Sequence, residues 1–281
     1  WIGSGLLSRS LFKRPVMTFP YGSKVFGFRS QILEKLTKLG DNPQDSKKLY
    51  EKTKLHFSSP EGIAKAQANP QTRGKAPGDL MGYAASYLAS VTMLAIKGTV
   101  VKAAEGMEWL QQAARLVAGN GACVSWTVPA TGFRVRQEYF EQKTKRVDTV
   151  LCGRVYKPRV YEPTATPRAL KQANSMSPNF IHSLDAAALM MTVIASAQDG
   201  VESFAMIHDS YGAPAGDCAV IARAARQSFY NLYTKHNVVE LLRDELLTQI
   251  DPEDTDALLE SVPARGTLDL AGVLASDFFF A

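Results

Sequence analysis

Residues Arg9 to Gly22 read R-S-L-F-K-R-P-V-M-T-F-P-Y-G, and two prolines limit what that stretch can become. Each proline removes a backbone donor and crowds the preceding turn, at about 3 kcal/mol inside a helix. The spacing therefore predicts a kinked or interrupted helix with Tyr21 at its end. Arg9 and Lys13 are four residues apart and share one helical face, with Met17 next in the row. Two cations followed by an aromatic hydroxyl can grip a triphosphate with a sugar and base beyond it. The guanidinium offers a planar fork and the ammonium a point charge. Arg14 points elsewhere and could serve nucleic-acid backbone. A solvated basic helix face has the same spacing, so the R-x-x-x-K pair alone leaves both readings open.

The balance of charge agrees with an anionic partner. The 281 residues carry a formal net charge of +5 and are 46% hydrophobic and 21% charged. Residues 1–60 hold 11 Lys/Arg against 4 Asp/Glu, a balance of 11 − 4 = +7. Residues 240–260 are acidic, with Glu240, Asp244, Glu245, Asp251, Glu253, Asp254, Asp256 and Glu260 against Arg243 alone. A basic front and an acidic rear suit a protein that lays one face on nucleic acid. Cys123, Cys152 and Cys218 form no C-x-x-C pair, which argues against a zinc site or disulfide framework and fits a reducing cytosol. No apolar run reaches membrane-spanning length. The chain opens on Trp1 rather than Met, as a piece of a longer protein would.

Further along, Lys24 to Leu39 reads as a second amphipathic helix, and residues 41–79 as polar loop with short helical pieces. Leu80 to Ala118 is helical in pattern, with Gly98 and Gly106 as weak points. Its stripe of Tyr83, Tyr87, Val91 and Leu94, continued by Val100, Val101, Met107, Leu110, Ala114 and Val117, is expected to be helix core. Val124 to Gln137 alternates around Pro129-Ala130-Thr131-Gly132 and predicts a β-hairpin. Residues 139–162 form a second extended region in which valines alternate with Lys143, Lys145, Arg146, Arg154, Lys157 and Arg159. Such a basic β-ribbon can enter a major groove or be an ordinary exposed hairpin. Ser177-Pro178 predicts a helix start, with a helix from Asn179 to Ala197 that sets His182 on one face with Asp185 and Leu189. Val201 to Ile207 reads as a strand leading to a tight bend at His208-Asp209-Ser210-Tyr211-Gly212. A carboxylate at such a bend is commonly a turn former, but an apolar strand behind it suits a Mg²⁺ ligand. Helical patterns follow over residues 217–249.

The string R-x-x-x-K-R-P-V-M-T-x-P-Y-G-S resembles the fingers-helix motif of the single-subunit DNA-directed RNA polymerases of T-odd bacteriophages. P-N-F-I-H-S-x-D resembles the family's passage from fingers to palm, and H-D-S-Y-G its palm metal-binding motif. The closing S-D-F-F-F-A resembles the family's aromatic C-terminal foot. The resemblance implies an α+β fragment of a right-hand polymerase. Fingers would occupy residues 1–182, mostly helical with the β-hairpin insertion, and the later part of the palm with the foot residues 183–281. It implies Asp209, Lys13 and Tyr21 as catalytic residues and Arg9, Lys13, Tyr21 and His182 as substrate ligands. Tyr21 would help tell ribose from deoxyribose. Asp209 would hold metal in a site of two Mg²⁺ ions. Arg14 would meet nucleic acid, and the ribbon at 139–162 would be the promoter-specificity hairpin, with Arg146 and Asp148 as base readers.

The implied partners are promoter duplex and template strand, RNA product, NTPs and the N-terminal half of the same polymerase, with no membrane. The second catalytic Asp would lie upstream of this chain, so the chain alone is expected to be inactive. The cytoplasm of an infected bacterium is the expected setting. A family A DNA polymerase fragment is the nearest alternative, but it expects Glu where this chain has Ser210. A basic DNA-binding remnant without chemistry is the other.

Overall fold

The computed structural model describes residues 7–37, 59–68, 77–255 and 262–279. Packing divides the chain into two units, Trp1–Ala104 and Glu105–Ala281.

In the first unit, helix α1 (Arg9–Thr18) turns Leu11 and Pro15 inward, with Phe19 completing the row just past its end. The interruption expected at Pro15 is absent: the proline's apolar surface fills a position in the buried row, and the helix stops only before Pro20. The stop is a Schellman closure: the Ser23 amide donates to the Thr18 carbonyl (3.2 Å) and the Gly22 amide to Phe19 (2.9 Å). It requires a positive φ at Gly22, here +83°. Helix α2 (Val25–Thr37) contributes Phe28, Ile32 and Leu36 to the core, and helix α4 (Pro77–Thr99) contributes Ala85, Leu88, Ala89 and Ile96. The Arg29 Nε donates to Ser86 Oγ across α2 and α4 at 2.9 Å. Between them in sequence lies a short helix, α3 (Pro60–Ala68), within the expected 41–79 loop, whose last three residues already belong to α4. The end of the second helix at Leu39 lies outside the described residues.

The expected core stripe on α4 is on the wrong face. Tyr83, Tyr87, Val91 and Leu94 are exposed, Tyr87 by 64%. Ala85 and Ala89, the small residues, face the core instead. The helical run breaks at Val100, close to Gly98, while Gly106 lies inside helix α5 (Val101–Gly119) without ending it. On α5 the expectation holds for Leu110, Ala114 and Val117, which are buried, but not for the start of the run, where Val100 and Val101 are exposed and Met107 is half-buried.

The second unit is a set of helices interleaved with two-stranded antiparallel sheets. Strands β1 (Ser125–Thr127) and β2 (Arg134–Arg136) pair as the expected hairpin. Strands β3 (Phe140–Arg146) and β6 (Arg159–Pro167) form the base of the ribbon, and β4 (Thr149–Leu151) and β5 (Arg154–Tyr156) its tip. The ribbon thus runs on to Pro167, five residues beyond the expected limit.

Helix α6 (Ala169–Gln198) overturns the expected start at Ser177-Pro178. The helix begins eight residues earlier, and both Ser177 and Pro178 lie inside it. The reason is a buried clasp. Gln137 is 2% exposed and Gln172 0%. The Gln172 Nε2 donates to the Gln137 carbonyl at 2.8 Å, and Asn179 Nδ2 donates to Gln137 Oε1 at 2.7 Å. These bonds, with Met176 and Ser177 buried beside them, hold two extra turns against the hairpin. By length and composition α6 could cross a bilayer. Here Met176, Phe180, Leu184 and Ala187 belong instead to the core with Trp109, Val124 and Trp126, and the helix is the spine of this unit. Trp126 stacks edge-on against Phe180 (6.0 Å) and donates through Nε1 to Ser183 Oγ (3.1 Å).

Strands β7 (Ala205–Ile207) and β8 (Ser210–Gly212) follow, the first shorter than the expected strand from Val201. Val201 is buried at the turn leaving α6. Helices α7 (Cys218–Lys235) and α8 (Val238–Leu247) close the core with Leu232, Leu242 and Leu246. The Glu245 carboxylate accepts from the Thr127 amide at 2.9 Å, tying α8 to β1. Near the end, Phe279 packs on Phe229 at 5.2 Å and lies under the Arg226 guanidinium. Phe280 and Ala281 lie outside the described residues.

The clasp gives a stability prediction. Gln172→Leu strands the buried Gln137 groups it bonds, which should lower unfolding free energy by about 1–3 kcal/mol. Urea denaturation should show this loss, while Asn174→Ala on the exposed side of the same helix should change little. Equal midpoints for the two variants would mean that the clasp does not hold the helix start.

Candidate active site and nucleic-acid ribbon

Burial of Leu11, Pro15 and Phe19 turns the opposite row of α1 to solvent, so Arg9, Lys13 and Met17 form one exposed stripe. The Schellman closure then fixes Tyr21 in the turn just beyond it, with its amide bonded to the Thr18 carbonyl at 3.2 Å. The order predicted from the sequence, two cations and then a phenol at the helix end, is present. Arg14 is on another side and pairs with Glu34 at 3.0 Å. Both side chains of that pair are solvated, so it contributes little stability.

In the second unit, α6 and the β7–β8 hairpin bring Asp185 within electrostatic range of His182 on its own helix and of Asp209 on the hairpin. Ladder pairing of Ile207 with Ser210 leaves His208-Asp209 as a two-residue turn. His208 takes the left-handed conformation, φ +54°. That is uncommon for a residue other than glycine. Across the strands, a Cβ added at Gly212 would lie 3.2 Å from the Ala205 carbonyl oxygen, so only glycine fits there without a shift. Asp209 projects from this turn as an exposed carboxylate.

Asp185 is the residue that sequence reasoning left without a role. Its carboxyl is raised above the usual range by desolvation; the His182 imidazole opposes that rise and the Asp209 carboxylate adds to it. The Tyr211 phenol is raised by desolvation and then by Asp185, and Tyr233 is pushed up to about 12 by the same two causes. Asp185 is therefore the charge shared by the hairpin, α6 and α7. The available signal was the three-residue interval from His182, which places both on one helical face. A cavity of about 370 Å³ opens against Asp209, Tyr211, Cys218 and Ile221.

The donor chemistry at Asp209 suits a hard cation, since an exposed carboxylate on a short hairpin offers oxygen ligands. Among the described residues no three His, Cys, Asp or Glu side chains group to hold a metal.

On the ribbon, Arg146 lies directly opposite Arg159, and Asp148 pairs with Lys157 at 3.2 Å. Both residues expected to read bases thus stand on an exposed ribbon, with Asp148 engaged by a neighbour.

Comparisons with known proteins bear on all of these features together. The family of DNA-dependent RNA polymerases matches residues 1–258. The chain is 33% identical to the DNA-directed RNA polymerase of Enterobacteria phage T3 and 33% identical to the T7 RNA polymerase of Escherichia phage T7. In each case the alignment takes in all of this chain and 30% of the relative. DNA-directed RNA polymerase 1, mitochondrial, of Arabidopsis thaliana is 29% identical over 98% of this chain and 24% of its own length. The chain thus spans about a third of the length of the phage relatives, and it belongs to the DNA-dependent RNA polymerase family.

Proposed function

We propose that this chain acts as the C-terminal part of a single-subunit, phage-type RNA polymerase that transfers nucleotides from NTPs to an RNA 3′-hydroxyl on a DNA template. The carrying observation is the exposed Asp209 carboxylate, delivered by a two-residue turn in a chain that matches the polymerase family along most of its length. In this reading residues 1–182 are fingers, including the ribbon, and residues 183–281 complete the palm and foot. Duplex promoter, template strand, RNA and NTPs are the partners, together with an upstream portion of the same enzyme. The cytoplasm of an infected bacterium is the setting. The family match favours RNA synthesis over the DNA polymerase alternative.

Each residue has a physical task. Arg9 and Lys13, one turn apart on solvent-facing α1, neutralise triphosphate oxygens, the first by a fork and the second as a point charge. Lys13 also offsets charge that builds on the leaving pyrophosphate. Tyr21 stands at the helix end, where a sugar would follow phosphates held by the two cations. Arg14 and the ribbon meet nucleic-acid backbone and bases. His182 lies one helical turn before Asp185 on α6 and contacts nucleotide or primer–template. Asp209 supplies a carboxylate to Mg²⁺, and phosphate oxygens complete its shell. Bound there, a pair of Mg²⁺ ions lowers the hydroxyl's pKa and stabilises charge at phosphorus.

Two tests follow, both in an enzyme completed with the upstream part of the phage T7 relative. Asp209→Asn keeps the shape but removes a negative ligand, so nucleotide addition should be abolished while DNA affinity stays near wild type. An unchanged kcat would make Asp209 a turn residue only. Tyr21→Phe keeps the ring and removes one hydroxyl. Discrimination between NTP and dNTP, read as the ratio of kcat/KM values, should fall by about 2- to 12-fold, the worth of one hydrogen bond. An unchanged ratio would remove Tyr21 from sugar selection.

A further inference from the structure

The two pieces of the ribbon share one register. Arg146 faces Arg159 in the base, and Thr149 faces Tyr156, Val150 faces Val155 and Leu151 faces Arg154 in the tip. The Val147 amide donates to the Pro158 carbonyl at 3.1 Å between them, so pairing carries through the junction. The tip turns at Cys152 and Gly153, both at positive φ, a two-residue turn that leaves no slack in the alignment. Side chains alternate between faces and opposed residues share one. One face therefore carries the Arg146–Arg159, Asp148–Lys157 and Val150–Val155 pairs in succession. The other carries Lys143 with Glu162, Lys145 with Val160, Thr149 with Tyr156, and at the very tip Leu151 with Arg154.

The two faces differ in how their charge is balanced. Lys145 has Glu162 at 4.0 Å. Arg146 and Arg159 are directly opposed like charges, and among the described residues neither has a carboxylate in ion-pair range. Opposed like charges destabilise a ribbon unless an anion or acceptor group enters between them. Beyond the Asp148–Lys157 pair stand Val150 and Val155, 69% and 68% exposed, an apolar cross-strand pair in water.

We propose that this face reads duplex DNA, with Arg159 joining Arg146 on guanine edges and the Val150–Val155 pair resting on a thymine methyl. The inference rests on the proposed DNA-binding role of the ribbon. The major groove presents what the strip lacks. Guanine O6 and N7 accept from a guanidinium fork, and the thymine C5 methyl is an apolar feature there. Four residues separate the Arg pair from the Val pair, about 13 Å of strand, or about four base-pair steps along the duplex. Recognition should thus join a G·C pair to a thymine about four steps away.

The 281-residue chain is used to select from duplex DNA of random sequence, and the winning duplex is remade with deoxyuridine for each thymine in turn. Val150→Ser and Val155→Ser should each weaken binding to the thymine duplex about fourfold, the worth of one buried methyl-sized group. That loss should vanish on the duplex whose critical thymine lacks its methyl. Val160→Ser, the same change on the other face, should bind as wild type, and Arg159→Gln should relax selection at one G·C pair. An equal loss on both duplexes, an equal effect of Val160→Ser, or no selected sequence would overturn the proposal. Asp209-dependent nucleotide addition surviving such a failure would leave the polymerase reading standing.

Discussion

The second unit depends on the bonds between Gln137 and Gln172. Two primary amides buried from water are expensive unless each donor and acceptor finds a partner. Here they satisfy each other, the Gln137 carbonyl, and through Asn179 the Tyr139 hydroxyl at 3.2 Å. The same contact fixes where α6 begins and where the ribbon's first strand departs. Everything the helix carries, from Ser183 under the Trp126 indole to Asp185 near the β7–β8 turn, inherits its position from that point.

The polymerase reading joins surfaces with distinct physical requirements. On α1 the requirement is exposure, met because a proline and two large apolar residues occupy the buried row. At Asp209 it is a fixed carboxylate, met by a turn too short to wander. On the ribbon it is a face of uncompensated donors. None of these depends on a perturbed group buried in a cleft. This suits an enzyme whose substrates are highly charged and bring phosphate oxygens with them.

What was legible in the sequence follows from how local each signal is. The exposed row on α1, the hairpin around Pro129–Gly132 and the turn at His208-Asp209 are set by residues within a few positions of one another, and the structure has each of them, although Pro15 does not interrupt α1 as its ring predicts. The start of α6 was misread because Ser177-Pro178 is a sound local cap signal. The bonds that override it come from Gln137, 35 residues earlier. The stripe on α4 was misassigned for a related reason. Helical spacing identifies rows but not which row meets a neighbour, and Ala85 and Ala89 won because small residues let another helix approach closely. Asp185 can be placed on one face with His182 from the sequence but takes no role there, because its significance comes from Asp209, which is distant in sequence and near in space.

The left-handed backbone at His208 has a further consequence. Its conformation is held by the paired strands on either side, with glycine at 212 where a side chain would strike the Ala205 carbonyl. The Asp209 carboxylate is thereby held in place before any ion or nucleotide arrives. A longer, looser loop would surrender conformational freedom at each encounter, at about 1–2 kcal/mol for every backbone residue ordered. This turn has already given up that freedom during folding, so a cation taken up by the carboxylate, as proposed, would not have to offset it.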